Sequence, residues 1–311
     1  MKTAITDRSL CGVIFKEIIG KTDVYTYALS LREAGADYIE IDLNALVRVP
    51  EPTGAENYIF RVRHAEEYLI ANALPFSYVV LPLKFSHLIA KMNLPVILEI
   101  KTGDADIPAL LKVVSESIDL TKVALLRLVG DFRKSSDKLK SILAKIRMTY
   151  AVPFDICPLN TTLGALEASI TAYEAGIDSL TLNFGNSSSF TPLEEFLISM
   201  ATVHKQIISK NYISGICKAS VMSSLISEIE TLNLKMLMKR YQLSPQRVEV
   251  ADGQPLGLNP WKGKKYQRRS LIERRLDFME VEQELSQEIM TQLKKCGVDF
   301  FGRDKKDSCL N

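Results

Sequence analysis

The sequence predicts an α/β fold, a TIM-type (β/α)8 barrel with a mainly helical C-terminal extension. Three observations predict it. Short apolar runs alternate with helix-period segments over the first two thirds of the chain. The runs are too short for helices and rich in Val, Ile, Tyr and Leu, as strands buried on both faces of a parallel sheet are. Two stretches also read alike, Arg32–Asp42 (REAGADYIEID) and Tyr173–Asn183 (YEAGIDSLTLN): helix, Ala-Gly stop, Asp, strand. Such alternation builds right-handed βα units, and about eight of them close a barrel of roughly 200 residues or more. A doubly wound open sheet is the rival architecture. No glycine-rich phosphate loop follows the first strand, which weakens its nucleotide-binding version.

In chain order the expected strands are Thr3–Asp7, Tyr38–Asp42, a weaker Tyr58–Val62, Tyr78–Leu83, Val96–Ile100, Val123–Leu128, Phe154–Cys157 and Ser179–Asn183. Val24, Tyr27, Ala28 and Leu31 fall at helical spacing before the stop at Gly35, and Leu166–Ala175 ends likewise at Gly176. After about residue 205 the pattern changes, so residues 1–205 are read as the barrel and 206–311 as a helical C-terminal region. Within the latter, Val221–Tyr241 reads as a helix. Pro245, Pro255 and Pro260 interleave with Gly253, Gly257 and Gly263 to mark a linker near 244–265, and Arg268–Cys296 reads as a charged helix stopped by Gly297.

Composition narrows the function classes. The 311 residues are 47% hydrophobic and 24% charged, with 39 basic against 37 acidic side chains and a net charge of +2. That balance speaks against a nucleic-acid binder. The basic cluster Lys262–Arg275 is followed at once by Asp277, Glu280, Glu282, Glu284 and Glu288, which reads as a solvated or partner-docking helix face. No run approaches the roughly 20 apolar residues of a membrane span, and the N-terminal residues lack a secretion-signal pattern. The five cysteines show no CxxC spacing, so no disulfide framework is expected and a cytoplasmic location is. The three histidines, His64, His87 and His204, show no i, i+4 pairing of the kind that binds zinc.

In a barrel, functional side chains project from the C-terminal ends of the strands and the loops that follow. That geometry selects Asp7 and Arg8 after the first strand, then Glu40 and Asp42, Glu99 and Lys101, Arg127, Asp155, Asn183 and Asn186. Charges on apolar strands must face a wet pocket or pair with one another. Two readings therefore stand together. One is a ligand or catalytic pocket, with Arg127 and Glu99 as catalytic candidates and Arg8, Glu40, Asp155, Asn183 and Asn186 contacting substrate. The other is a buried ion-pair network of Glu99 with Lys101 or Arg127. Cys11 could line a pocket, whereas Cys157 reads as core.

A family resemblance then emerges. Asn160, Gly164, Ala168, Glu174-Ala175-Gly176, Gly185-Asn186 and Leu193-Glu194-Glu195 stand in the order of the late barrel segments of the homocitrate, isopropylmalate and citramalate synthases. Ile5–Leu10 is similar to that family's first strand, and Ala34–Glu40 to its second. The resemblance covers roughly residues 4–205 and looks most like the omega subunit of a split nitrogen-fixation homocitrate synthase. It implies a Claisen-type condensation of acetyl-CoA with a keto acid, 2-oxoglutarate giving homocitrate for nitrogenase cofactor synthesis, with a divalent metal as Lewis acid. Asp7 matches the family's metal-binding aspartate. Cys157 and Leu159 stand where two histidine ligands are expected, and Cys11-Gly12 where an Arg-Asp pair is expected. The resemblance thus implies a chain that does not hold the ion in the family's way and works with a homologous catalytic subunit. The alternative is a non-catalytic barrel that binds a small anionic metabolite as regulator or scaffold.

Overall fold

A computed structural model describes residues 3–13, 15, 21–49, 52–53, 57–102, 106–132, 136–159, 164–185, 190–202, 208–226, 287, 291 and 300–301. Eight parallel strands close into a barrel in sequence order. They are β1 (Ala4–Asp7), β2 (Tyr38–Ile41), β3 (Tyr58–Arg61), β4 (Tyr78–Pro82), β5 (Val96–Lys101), β6 (Val123–Gly130), β7 (Phe154–Pro158) and β8 (Ser179–Leu182). β8 pairs with β1, Thr181 opposite Thr6, and closes the cylinder. Each expected strand is present, the weak third one included. The α-helices are α1 (Lys21–Glu33), α2 (Leu43–Leu46), α3 (Tyr68–Ala73), α4 (Ile107–Ser117), α5 (Ser136–Thr149), α6 (Ala165–Glu174), α7 (Leu193–Thr202) and α8 (Lys210–Ile226). Between β4 and β5 the connection is a run of 3-10 turns, Leu83–Lys91.

The repeated sequence motif has a repeated structural job. After α1, Gly35 (φ +113°) lets Ala36 N–H reach the Leu31 carbonyl and Gly35 N–H the Arg32 carbonyl. After α6, Gly176 (φ +71°) makes the matching pair to Ala172 and Tyr173. Both are helix stops that need a left-handed residue, which glycine adopts without a steric cost. The Asp that follows then secures a neighbouring strand. Asp37 accepts from Ile5 N–H at 2.9 Å, and Asp178 from Phe154 N–H at 3.0 Å.

Strand alternation divides the side chains into two layers. Ile59, Val80 and Ile97, with Tyr38, Tyr78 and Leu125, fill the lower lumen as a small apolar cluster of their own. Outward-facing residues such as Ile39, Ile41, Phe60, Leu98 and Leu182 join the helices in the main core. α8, beyond the boundary expected at 205, packs along α1. A Cβ at Gly215 would lie 2.2 Å from the Ala34 nitrogen, so the two helices meet backbone to backbone there. Lys218 reaches Glu33 at 2.9 Å across the same contact. Ile208–Ser209 (β9) pairs in parallel with Phe300–Phe301 (β10). Gln287 and Thr291 are helical, within the segment expected to form the charged helix. The rest of that segment, the linker near 244–265 and residues 227–241 lie outside the described residues. Among the described residues, no helix is long and apolar enough to cross a membrane.

Candidate functional site

Above the apolar layer the lumen holds charges from five strands. Arg127 on β6, fully buried, bonds Asp155 on β7 through Nε at 2.5 Å and Glu40 on β2 through Nη1. Arg61 on β3 bonds the other Glu40 oxygen through Nε, and grips Glu99 on β5 with both Nη atoms, Nη1 at 2.9 Å. Thr181 on β8 donates to Asp155 Oδ2 at 2.6 Å. Glu99, Arg127 and Asp155 lie side by side in register, which is why the spacing places them at one level.

The electrostatics follow from burial competing with pairing. Burial pushes the Glu40 carboxyl up, but Arg127 and Arg61 outweigh it and hold Glu40 well below the ordinary carboxylate range. Burial opposes ionisation of Glu99 too, and the Arg61 fork overcomes it, so Glu99 also lies low. For Asp155 burial prevails over Arg127 and Thr181, and its carboxyl is raised. Removing one partner from such a buried network typically costs about 3–5 kcal/mol, because the other charge is left unpaired. Arg127 Nη2 and Asp155 Oδ1 are buried without a hydrogen-bond partner. Of the two readings of these charges, the coordinates bring Glu40, Glu99, Arg127 and Asp155 together as mutual partners. Lys101 is exposed.

The rim is built differently. Arg8 follows β1, stacks over the Phe190 ring at 4.2 Å and points Nη1 at Cys157 Sγ, 3.5 Å away. No carboxylate among the described residues forms an ion pair with it, although its charge and that of Glu40 act on each other. Cys11, half-buried, sits 3.5 Å from Glu40 Oε1. Burial keeps the Cys157 thiol protonated, pushed up to about 11. Asp42 is structural: it caps α2 through Ala45 N–H at 3.0 Å, accepts from Gly12 N–H at 2.9 Å and pairs with Arg63 at 2.7 Å. Asn183 donates its side-chain amide to the Phe184 carbonyl at 3.1 Å. Asn160 and Asn186 lie outside the described residues.

Asp7 lies on the other side of the wall. Its register partners Ile39 and Leu182 belong to the outer core, so its carboxylate faces the helices. There it accepts from Ser9 N–H at 2.8 Å and from the Ser9 hydroxyl, which in turn accepts from Tyr27 of α1 at 3.2 Å. Burial raises the Asp7 carboxyl to about 6, against the pull of Ser9. Nearby, Glu194 in the first turn of α7 accepts from Gly185 N–H at 3.2 Å. Its carboxyl is raised to about 8 by burial, with Glu195 and Asp7 adding repulsion.

These residues do not fit a divalent ion held in the family's way. Asp7 faces out of the lumen, Arg8 points its Nη1 at the Cys157 sulfur, and the lumen carboxylates are engaged by guanidinium groups. Among the described residues, no group of three His, Cys, Asp or Glu side chains is arranged to hold a metal. Sequence reasoning missed Arg61, Thr181 and Glu194. Arg61 carried the same signal as Arg127, a charge on an otherwise apolar strand.

No family model matches the chain. Over 217 residues it is 25% identical to the homocitrate synthase omega subunit of Clostridium pasteurianum, covering 65% of this chain and 60% of that protein. Among solved structures, the HMG-CoA lyase of Bacillus subtilis superposes with a TM-score of 0.59 at 15% identity, covering 76% of this chain and 97% of the lyase. An HMG-CoA lyase from Acinetobacter baumannii, in complex with coenzyme A and 3-methylmalate, gives 0.60 at 11% identity, covering 82% and 98%. At those identities the structural likeness concerns the fold, a TIM-type barrel. The resemblance read from the sequence is thus borne out: the chain is a divergent relative of the homocitrate synthase omega subunit, built on the barrel that the HMG-CoA lyases share.

Proposed function

We propose that the chain is a homocitrate-synthase-like acyltransferase subunit of the omega kind, serving the condensation of acetyl-CoA with 2-oxoglutarate in nitrogenase cofactor synthesis. On this reading it works with a homologous catalytic subunit in the cytoplasm. The similarity to the Clostridium pasteurianum omega subunit carries the reading. The chemistry of the lumen supports the need for a partner. Removing a proton from an acetyl methyl needs a base with a free lone pair within reach of the substrate, and the lumen's candidates are its carboxylates. Glu40 and Glu99 are ionised but bonded by Arg61 and Arg127, which makes them weak bases. Asp155 is raised but sealed beneath the rim. Among the described residues, Arg8 offers a substrate a guanidinium braced on Phe190 and able to hold the carboxylate of a keto acid.

The test is coexpression with a complete homologue, followed by co-purification and a homocitrate assay. The pair should associate and turn over where neither chain does alone. A pair that neither associates nor gains turnover refutes the proposal. Stabilisation of the lone chain by 2-oxoglutarate, without any gain of turnover in the pair, would favour the regulator or scaffold instead.

A further inference from the structure

We infer that the Arg61 guanidinium occupies the lumen position between Glu40 and Glu99 that a divalent cation could otherwise take, so that the barrel neutralises these carboxylates internally and takes up no metal ion there. The placement argues for it. Arg61 bridges carboxylates from β2 and β5, strands that are not neighbours in the sheet, as a bridging cation would. Both Glu99 oxygens are bonded by Arg61, and the two Glu40 oxygens are divided between Arg61 and Arg127. Hard divalent ions need carboxylate oxygens of this kind, and several of them. The set is nearly closed to solvent, Arg61 being 7% exposed, Glu99 6% and Glu40 0%, so an ion could enter only by expelling the guanidinium.

Charge counting leads to the same result. Glu40, Glu99 and Asp155 stand against Arg61, Arg127 and Arg8, whose charge also acts on Glu40, so the set is balanced. A divalent ion added to that set would leave the lumen with two positive charges in excess. Without Arg61 one carboxylate is left uncancelled, and a cation can take the place of the guanidinium.

The experiment is a titration of the full chain with Mn2+, followed by the loss of the free-ion electron paramagnetic resonance spectrum and by thermal shift. The wild-type chain should show no saturable site. Arg61→Met should gain a site of one ion per chain, with Mn2+ raising the unfolding temperature. The double variant Arg61→Met, Glu99→Gln has the wild-type charge balance and should bind none. If Arg61→Met does not fold, the wild-type titration decides: saturable Mn2+ binding that Glu99→Gln weakens overturns the inference, and its absence supports it. A folded Arg61→Met that binds no Mn2+ also overturns it. No partner subunit enters these measurements, so they stand or fall separately from the proposed activity.

Discussion

Replacing Glu194 with glutamine should remove a loss of stability that the wild-type chain suffers between about pH 6 and 8. Glu194 is buried in the first turn of α7, and its carboxyl is raised from an ordinary 4.5 to about 8. The unfolded chain releases this proton near the ordinary value, whereas the native state keeps it to about pH 8. Between those limits the native state binds the extra proton, so stability is highest at low pH and falls as pH rises. Each unit is worth about 1.4 kcal/mol. Asp7 shows the same sign, but its window closes near its raised value of about 6. Between about pH 6 and 8 the Glu194 contribution therefore stands apart, amounting to roughly 2–3 kcal/mol. Glutamine has the same shape and does not titrate. Asp155, also raised, is common to both proteins and cancels in the difference. Urea unfolding at several pH values and constant ionic strength would show the glutamine variant gaining on the wild type as pH rises. Parallel stability profiles for the two proteins would refute the reasoning.

Two further outcomes can be checked directly. Gly215→Ala places a Cβ 2.2 Å from the Ala34 backbone nitrogen, and backbone cannot yield as a side-chain tip can. The variant should lose about 1–3 kcal/mol or more in denaturant unfolding as α8 is pushed from α1. Arg8→Gln removes the rim guanidinium that stacks on Phe190, so the thermal shift produced by 2-oxoglutarate should vanish. An unchanged ligand shift would remove Arg8 from the proposed anion site.

Much of the barrel was legible before any coordinates. The apolar runs, the Ala-Gly stops at Gly35 and Gly176 and the Asp after each depend on local chemistry, which neighbouring residues reveal. The candidate charges were legible as charges, because a Glu or Arg within an apolar strand is costly wherever it lies. Their partners were not. Glu40 meets Arg127 across 87 positions of sequence, and Arg61 meets Glu99 across 38. Only closure of the cylinder brings those strands to one level.

The side of the wall was equally hidden. Moving one residue along a strand turns a side chain from lumen to helix layer. Asp7 reads in sequence as a strand-end ligand, yet its pairing with Ile39 and Leu182 sets it among α1 and α7. The sequence by itself determined the elements, their order and which residues carry charge, since these follow from periodicity and turn chemistry within a few residues. Tertiary structure alone decided which charges neutralise one another and which face the lumen, since pairing and register depend on contacts between strands far apart in the chain.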